Sequence, residues 1–170
     1  PLRIGLQGQV DGEYEQITYF GRGPQENYSD RYDGIFLGTW DTSASDMMFN
    51  YVYPQENGNR TAVRWISMTD LNGSGIQFLG IEPLSVSVWN TTQDELQNAK
   101  HVGEPQLLRD AFVINVDHVQ TGVGGTDSWS QSARPSDQYR LMDKHYSYSF
   151  YVRPVKDRAD AVAAGRKLCR

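Results

Sequence analysis

Apolar residues recur at every second position along much of this chain, and that period confines those stretches to β-strands with one buried face. "LSVSVWN" is the clearest instance, with Leu84, Val86 and Val88 on one side and Ser85 and Ser87 on the other. "FVINVDH" repeats the pattern with Phe112, Ile114 and Val116. The same reading predicts strands at "RIGLQ" from Arg3, "YEQITYF" from Tyr14, "YVY" from Tyr51, "TAVRWISM" from Thr61, "IQFLGI" from Ile76 and "HYSYSFYV" from His145. Turn-forming stretches such as "GRGPQEN", "ENGN", "LNGSG" and "GVGG" separate them. About eight to ten short strands punctuated in this way are the pattern of an antiparallel β-sandwich.

One stretch breaks the alternation. In "TTQDELQNAKH", Thr92 and Glu95 have capping-box spacing and precede Leu96, Ala99 and Lys100, which predicts one short helix over about Gln93 to His101. The tail from Lys156, "KDRADAVAAGRKLCR", is rich in alanine and charge and reads as either a second helix or a frayed end. The expected organisation is therefore all-β with one short helix. A single sandwich domain occupies residues 1–155, with a possibly helical tail at 156–170.

Composition narrows the function classes. Four Trp, ten Tyr and six Phe within a 38% hydrophobic chain of 170 residues supply enough apolar surface for a core, which a disordered segment lacks. Acidic residues outnumber basic ones, 21 to 16, for a net charge of -5, and no Lys/Arg cluster has the density that phosphate neutralisation requires, so nucleic acid is not an expected partner. No apolar run approaches the ~20 residues that span a bilayer, so no membrane partner is expected either. The chain opens on Pro1 with no initiator Met or signal peptide, as a piece cut from something longer would. Cys169 is the only cysteine, which excludes a disulfide framework or a cysteine metal site within the chain.

Candidate chemistry is sparse. His101, His118 and His145 are far apart, without metal-ligand spacing, and read as structural or surface residues. Ser128 lacks the G-x-S-x-G elbow of a nucleophile, and "GVGG" lacks the lysine and following helix of a phosphate loop. "DTSASD" begins like a calcium loop at Asp41, Ser43 and Ser45 but has neither the central glycine nor the terminal glutamate, so it reads as an Asx or serine turn. The Asn27, Asn59, Asn72 and Asn90 sequons read as chance in an asparagine-rich surface. Trp40, Trp65 and Trp89 sit in or beside strand-like runs and are expected in the core. Trp129, in "TGVGGTDSWS", follows a glycine-rich turn. It either caps the core or projects from a loop, where an indole offers a flat face to the C–H groups of a sugar.

Four segments in order carry a resemblance. "YFGRGPQENYSDRYDG", "SDMMFNYVYPQENGNRTAVRW", "DELQNAKH" and "GVGGTDSWS" resemble blocks of the carboxyl-terminal small-chain domain of glycoside hydrolase family 2 β-galactosidases. Together they cover most of the chain, from about Arg3 to Val155. Thr126 stands where that family usually carries the first of two aspartates, and Gln131 where proline often follows the W-S pair.

The resemblance implies a large antiparallel β-sandwich, part of a galactose mutarotase-like supersandwich, because the family domain is longer at its amino end. It implies a retaining hydrolase of terminal β-D-galactosides such as lactose, with two catalytic glutamates on a TIM barrel. That barrel is absent here, so Glu13, Glu15, Glu26, Glu56, Glu82, Glu95 and Glu104 are not promoted to catalysis and no catalytic residue is expected in this chain. Trp129 is expected to be a platform for the substrate, supported by Gly122, Gly124, Gly125, Asp127 and Ser128. Glu26, Asp30 and Arg31 either line a sugar groove or fix a long loop, and the structural role is favoured. No cofactor is expected in this chain, since the Mg and Na that family members often use lie on other domains. The expected partners are those other domains or subunits, the TIM barrel above all, and the galactoside. The implied setting is a bacterial cytoplasm or periplasm. A free-standing lectin-like module and a purely architectural domain are the competing functions.

Overall fold

An alternating strand buries its apolar side only when neighbours supply both hydrogen-bond partners and a covering layer. The computed structural model, which describes residues 2–125, 127 and 130–168, satisfies this with one antiparallel sheet of seven strands. They are β1 (Arg3–Asp11), β2 (Gln16–Gly23), β3 (Phe36–Ser43), β4 (Arg60–Thr69), β5 (Gly75–Trp89), β6 (Ala111–Gln120) and β7 (Phe150–Val155). The order is β1-β6-β5-β4-β2-β3, with β7 also paired to β5. Helix α1 (Gln93–Asn98) lies between β5 and β6, and α2 (Arg158–Leu168) follows β7. The fold is thus all-β and antiparallel, as the alternation predicts.

The sheet is organised around β5, which fuses the "IQFLGI" and "LSVSVWN" segments into one strand of 15 residues. Its first half, Gly75–Gly80, pairs with β7, and its second half, Ser85–Trp89, pairs with β6. Exposed Ile81, Glu82 and Pro83 mark the change of partner. On the other side β4 follows the same bend by slipping register: Arg60 faces Val86, Val63 faces Leu84, and Trp65 faces Leu79. Ala62 sits in the first slip with φ of 54°, so a bulge lets the paired strand turn with β5.

Three strand assignments change. "YVY" is a loop: the Tyr51 N–H donates back to the Phe49 carbonyl, and Val52 and Tyr53 point outward. "HYSYSFYV" becomes a strand only from Phe150, where β5 offers a partner. The missed strand is β3, "FLGTWDTS", whose Gly38 and polar residues hide a weak pattern because it is an edge strand paired only to β2.

Both faces of the sheet are covered around its central strands, whereas Phe36 and Leu37 of β3 and Tyr151 and Val152 of β7 stay exposed. Val86, Val88, Ile114 and Val116 join Ile17, Tyr19, Ile66, Met68 and Phe78 in the main core. Their alternate neighbours Ser85, Ser87, Asn115 and Asp117 are buried as well. Near α1 the second face packs Trp89, Leu96 and Val113 against Met48 and Leu108. Thr92 caps α1 by accepting the Glu95 N–H at 3.2 Å, but the Glu95 carboxylate turns away to accept the Gln106 N–H at 3.1 Å, so only half of the expected capping box forms. The three strand-borne tryptophans divide: Trp65 and Trp89 are buried and Trp40 packs partly buried against the main core.

The tail is a helix because Asp157 caps it, accepting the Asp160 N–H at 2.8 Å, and an alanine-rich run follows. Beneath α2, Ala161 joins Trp65, Leu79 and Val155 in a separate apolar cluster. Burying side chains of this size contributes about 1.5–3 kcal/mol each. The Ala161 carbonyl accepts from buried Gln77 at 2.8 Å, Arg153 bridges Gln77 and Asp160, and Arg158 pairs with Asp41 at 2.7 Å. Asp41 of the "DTSASD" stretch is thus an ion-pair partner, while Ser43 and Asp46 close the expected serine turn. Gly165 lies directly on the Trp65 indole, with no room for a Cβ. Gly165→Val is therefore expected to lower stability by about 1–3 kcal/mol through overpacking, measured by urea denaturation, although the substitution raises intrinsic helix propensity.

Candidate functional site

The glycine-rich stretch after β6 is held by backbone hydrogen bonds on three sides. Thr121 N–H donates to the Leu2 carbonyl at 2.9 Å, and Gly122 N–H to the Tyr139 carbonyl at 2.8 Å. Gly124 adopts φ of +81° with the Ala133 carbonyl packed where a Cβ would stand, so no other residue fits without moving the backbone. On the third side the Asp30 carboxylate accepts the Val123 N–H at 3.1 Å and the Gly124 N–H at 2.8 Å. Further along, Asp127 accepts the Ser130 N–H at 2.6 Å and its hydroxyl at 2.8 Å. Ser128 and Trp129, both expected at the site, lie outside the described residues, as does Thr126.

Asp30 belongs to "GPQENYSDR", which is itself knotted to the start of β4. The buried Asn27 amide donates to the Arg22 and Gln25 carbonyls and its oxygen accepts from Thr61 N–H and hydroxyl at 2.9 and 2.5 Å. Its backbone exchanges a bond with Asn59. Arg60 reaches back to the Pro24 carbonyl at 2.8 Å. Glu26 accepts from the Tyr51 hydroxyl, from Arg31 at 2.9 Å and from the Gly58 N–H at 2.8 Å. Carboxylate bonds of this kind are stronger than neutral ones and define one loop geometry. Glu26 and Asp30 hold the loops together, and Arg31, paired with Glu26, also borders an open space.

That space is a cleft of about 770 Å³. Gly122, Gly124, Gly125 and Asp127 line it, so the four described members of the predicted supporting loop come together at one wall. Arg31, Tyr51, Glu56 and Arg134 line it as well. Glu56 falls inside the "YVYPQENG" segment, yet nothing in that block marked it as a cleft residue. Arg134 gave no signal in the sequence, since it reaches the cleft only because Ala133 packs on Gly124.

Behind Glu56 lies a buried ionic layer on the second face of the sheet. Arg3 donates to both Glu56 oxygens at 2.6 Å and to Asp117 at 3.1 Å, and its guanidinium lies 4.9 Å from the Trp89 ring centre. Asn115 joins Ser87 at 3.0 Å and Gln7 at 2.8 Å. Burial pushes the Asp117 carboxyl up to about 6, with Glu56 adding to the rise and Arg3 opposing it. Glu56 thus faces the cleft with both oxygens committed to Arg3.

Across residues 1–152 the chain matches the family model described as β-galactosidase small chain. It belongs to that family. The β-galactosidase of Halalkalibacterium halodurans is 38% identical over 154 residues, covering 89% of this chain and 15% of that protein. Those of Leuconostoc mesenteroides and Streptococcus thermophilus are 35% and 31% identical, covering 88% and 89% of this chain and 14% and 15% of theirs. The small-chain domain therefore spans about one-seventh of the curated relatives it matches, and α2 lies beyond the residues that the family model matches.

Within this small-chain domain, two substitutions test the site. Asp30→Ala removes both acceptors for the glycine loop and is expected to speed amide exchange at Val123 and Gly124 by at least about tenfold, with Asp30→Asn intermediate because one oxygen remains. The second concerns pH. Because folding raises the Asp117 pKa from 3.8 to about 6, the folded state binds more protons in that window. The stability this group contributes is complete below the unfolded pKa and is lost as pH rises through the folded one. Replacing Asp117 by Asn is expected to remove this dependence, so the stability of the variant relative to wild type rises between about pH 4 and 6.5 in denaturant titrations.

Proposed function

We propose that this chain is a non-catalytic domain of a β-galactosidase that completes the substrate-binding mouth of the enzyme. The observation that carries the reading is the cleft walled by Gly122, Gly124, Gly125 and Asp127, in a chain matching only about 15% of a β-galactosidase. Retaining glycoside hydrolysis requires two carboxyl groups about 5–5.5 Å apart across the scissile bond, one as nucleophile and one as acid/base. The cleft carboxylates described are engaged otherwise, Glu56 by Arg3 and Asp127 by Ser130. The reacting pair is assigned to the part of the polypeptide outside this chain.

In this reading the pinned glycine loop presents Trp129 to the aglycone or acceptor. The indole supplies an apolar face for the sugar C–H groups, while the rest of the enzyme orients the galactose. The loop's rigidity matters because a stacking ring that must first be ordered loses much of its gain to entropy. Asp30, Tyr139 and Ala133 hold the backbone of residues 122–125, the described part of that loop.

The convergence of Arg31, Glu56 and Arg134 on one cleft also favours a second reading, a carbohydrate-binding module that works alone. Titration of the isolated chain with galactose and lactose separates the two. One stacking face with few free polar groups predicts millimolar or weaker affinity, and micromolar binding would favour the module.

The decisive experiment replaces the matched 154-residue segment of the H. halodurans enzyme with this chain. The chimera is expected to hydrolyse lactose and an aryl β-galactoside, whereas the isolated chain hydrolyses neither. Trp129→Ala in the chimera should raise KM for lactose by about tenfold, the worth of roughly 1.4 kcal/mol, with a smaller change for the aryl substrate. A chimera no more active than the enzyme lacking the segment overturns the proposal, and unchanged kinetics for both substrates removes Trp129 from it.

A further inference from the structure

The two loops beside the cleft carry an apolar surface that the sheet does not use. Residues 48–55, "MFNYVYPQ", contain no charged side chain, although 22% of the chain is charged. Residues 99–108 run next to them, and the Val102 N–H donates to the Val52 carbonyl at 3.1 Å. Together they present Phe49, Val52, Tyr53, Val102 and Leu107, each between 52% and 81% exposed. A groove of about 200 Å³ runs beneath, floored by Met48 and Leu96. Tyr51 and Gln55 line both this groove and the larger cleft, so the two adjoin. Leu2 and Met142 extend exposed apolar surface to the cleft's own lining.

This surface is built in advance of any partner. Phe49 N–H is fixed to the Asn57 side chain at 3.1 Å, and the Phe49 and Tyr51 rings pack 4.6 Å apart. Leu108 N–H donates to the Asn90 carbonyl at 2.7 Å, and the Thr91 hydroxyl holds the Gln106 carbonyl at 2.8 Å. The loops stand on the Trp89, Leu96 and Val113 cluster. Lys100 and Glu104 are the charged residues of the 99–108 loop, and an apolar patch on a rigid base with charge confined to one side is the composition of a protein–protein contact with a polar rim.

We infer that residues 48–55 and 99–108 form the face on which the remainder of the β-galactosidase polypeptide docks. The inference rests on the proposed function and names the surface that carries it out. Two observations identify the occupant. The β-galactosidases related to this chain have some six-sevenths of their length outside the matched segment, so a large polypeptide awaits a seat. The patch also adjoins the cleft through Tyr51 and Gln55, so a body resting on Val52 and Leu107 lies at the edge of the cleft that the proposed function uses.

The test uses the same chimera. Hydroxyl-radical footprinting compares Phe49, Tyr53 and Leu107 in the isolated chain and in the chimera, and at least fivefold slower labelling is expected in the chimera. The double variant Val52→Asp with Leu107→Asp should leave the melting temperature of the isolated chain unchanged, since both side chains are exposed. In the chimera it should abolish that protection and cut activity on lactose at least tenfold. An active chimera whose patch labels as fast as in the isolated chain, or whose double variant behaves as wild type, overturns the docking face and leaves the proposed function standing. An inactive chimera overturns both. Slow labelling that appears in the isolated chain with rising concentration assigns the patch to a second copy and likewise overturns the inference.

Discussion

Arg3 sets the relation between the sheet and the site. Its guanidinium joins the first residue of β1 to Asp117 of β6 and to Glu56 of the segment before β4. Two carboxylates held by one cation beneath a loop form a layer that water would otherwise fill. Removing Arg3 from this cluster leaves its two carboxylates uncompensated, which is the costly case. The consequence is geometric: Glu56 anchors the 54–59 segment on the sheet, Asn57 takes the Trp89 N–H at 3.0 Å, and Tyr51 and Gln55 are carried to the cleft with them.

From that anchor the remaining contacts follow as a chain of carboxylates and amides. Glu26 binds Tyr51 and Gly58, Asn27 binds Thr61, and Asp30 binds the glycine loop. Each link joins segments far apart in sequence, so the cleft wall is set by the same bonds that close the loops. Substrate-positioning elements work best when their order precedes binding. In the proposed role, a domain that walls an active site needs that property more than it needs reactive groups.

The apolar surface on the 48–55 and 99–108 loops belongs to the same economy. The apolar positions at the centre of the sheet pack into the main core or under α2 and α1, Phe36, Leu37, Ile81, Tyr151 and Val152 stay exposed on the strands, and the five loop side chains lie outside all three clusters. In a chain that is 22% charged, their grouping around an uncharged stretch separates them from singly scattered surface hydrophobics, which are ordinary.

Period-two alternation by itself determined the all-β, antiparallel character and the core positions Leu84, Val86, Val88, Phe112, Ile114 and Val116, because a strand's two faces are written directly in its residue order. The Thr92 cap placed α1 for the same local reason, and the long "GRGPQENYSDR" and "GVGG" blocks marked the loops that meet at the cleft. What alternation misread was the second face: Ser85, Ser87, Asn115 and Asp117 look solvent-facing in sequence and are buried because Arg3 and the 54–59 segment cover them. Edge strand β3 escaped notice because half-exposed strands need little apolar content, and the tail stayed open between helix and frayed end because its local signals, the Asp157 cap and the alanine run, gain their seat on Trp65 and Leu79 only in the fold. The cleft itself, with Arg134 and Glu56 on its walls, came from tertiary structure alone. Bonds such as Asp30 to Gly124 span 94 positions, and no local pattern of residues encodes which distant backbone N–H groups a carboxylate will meet.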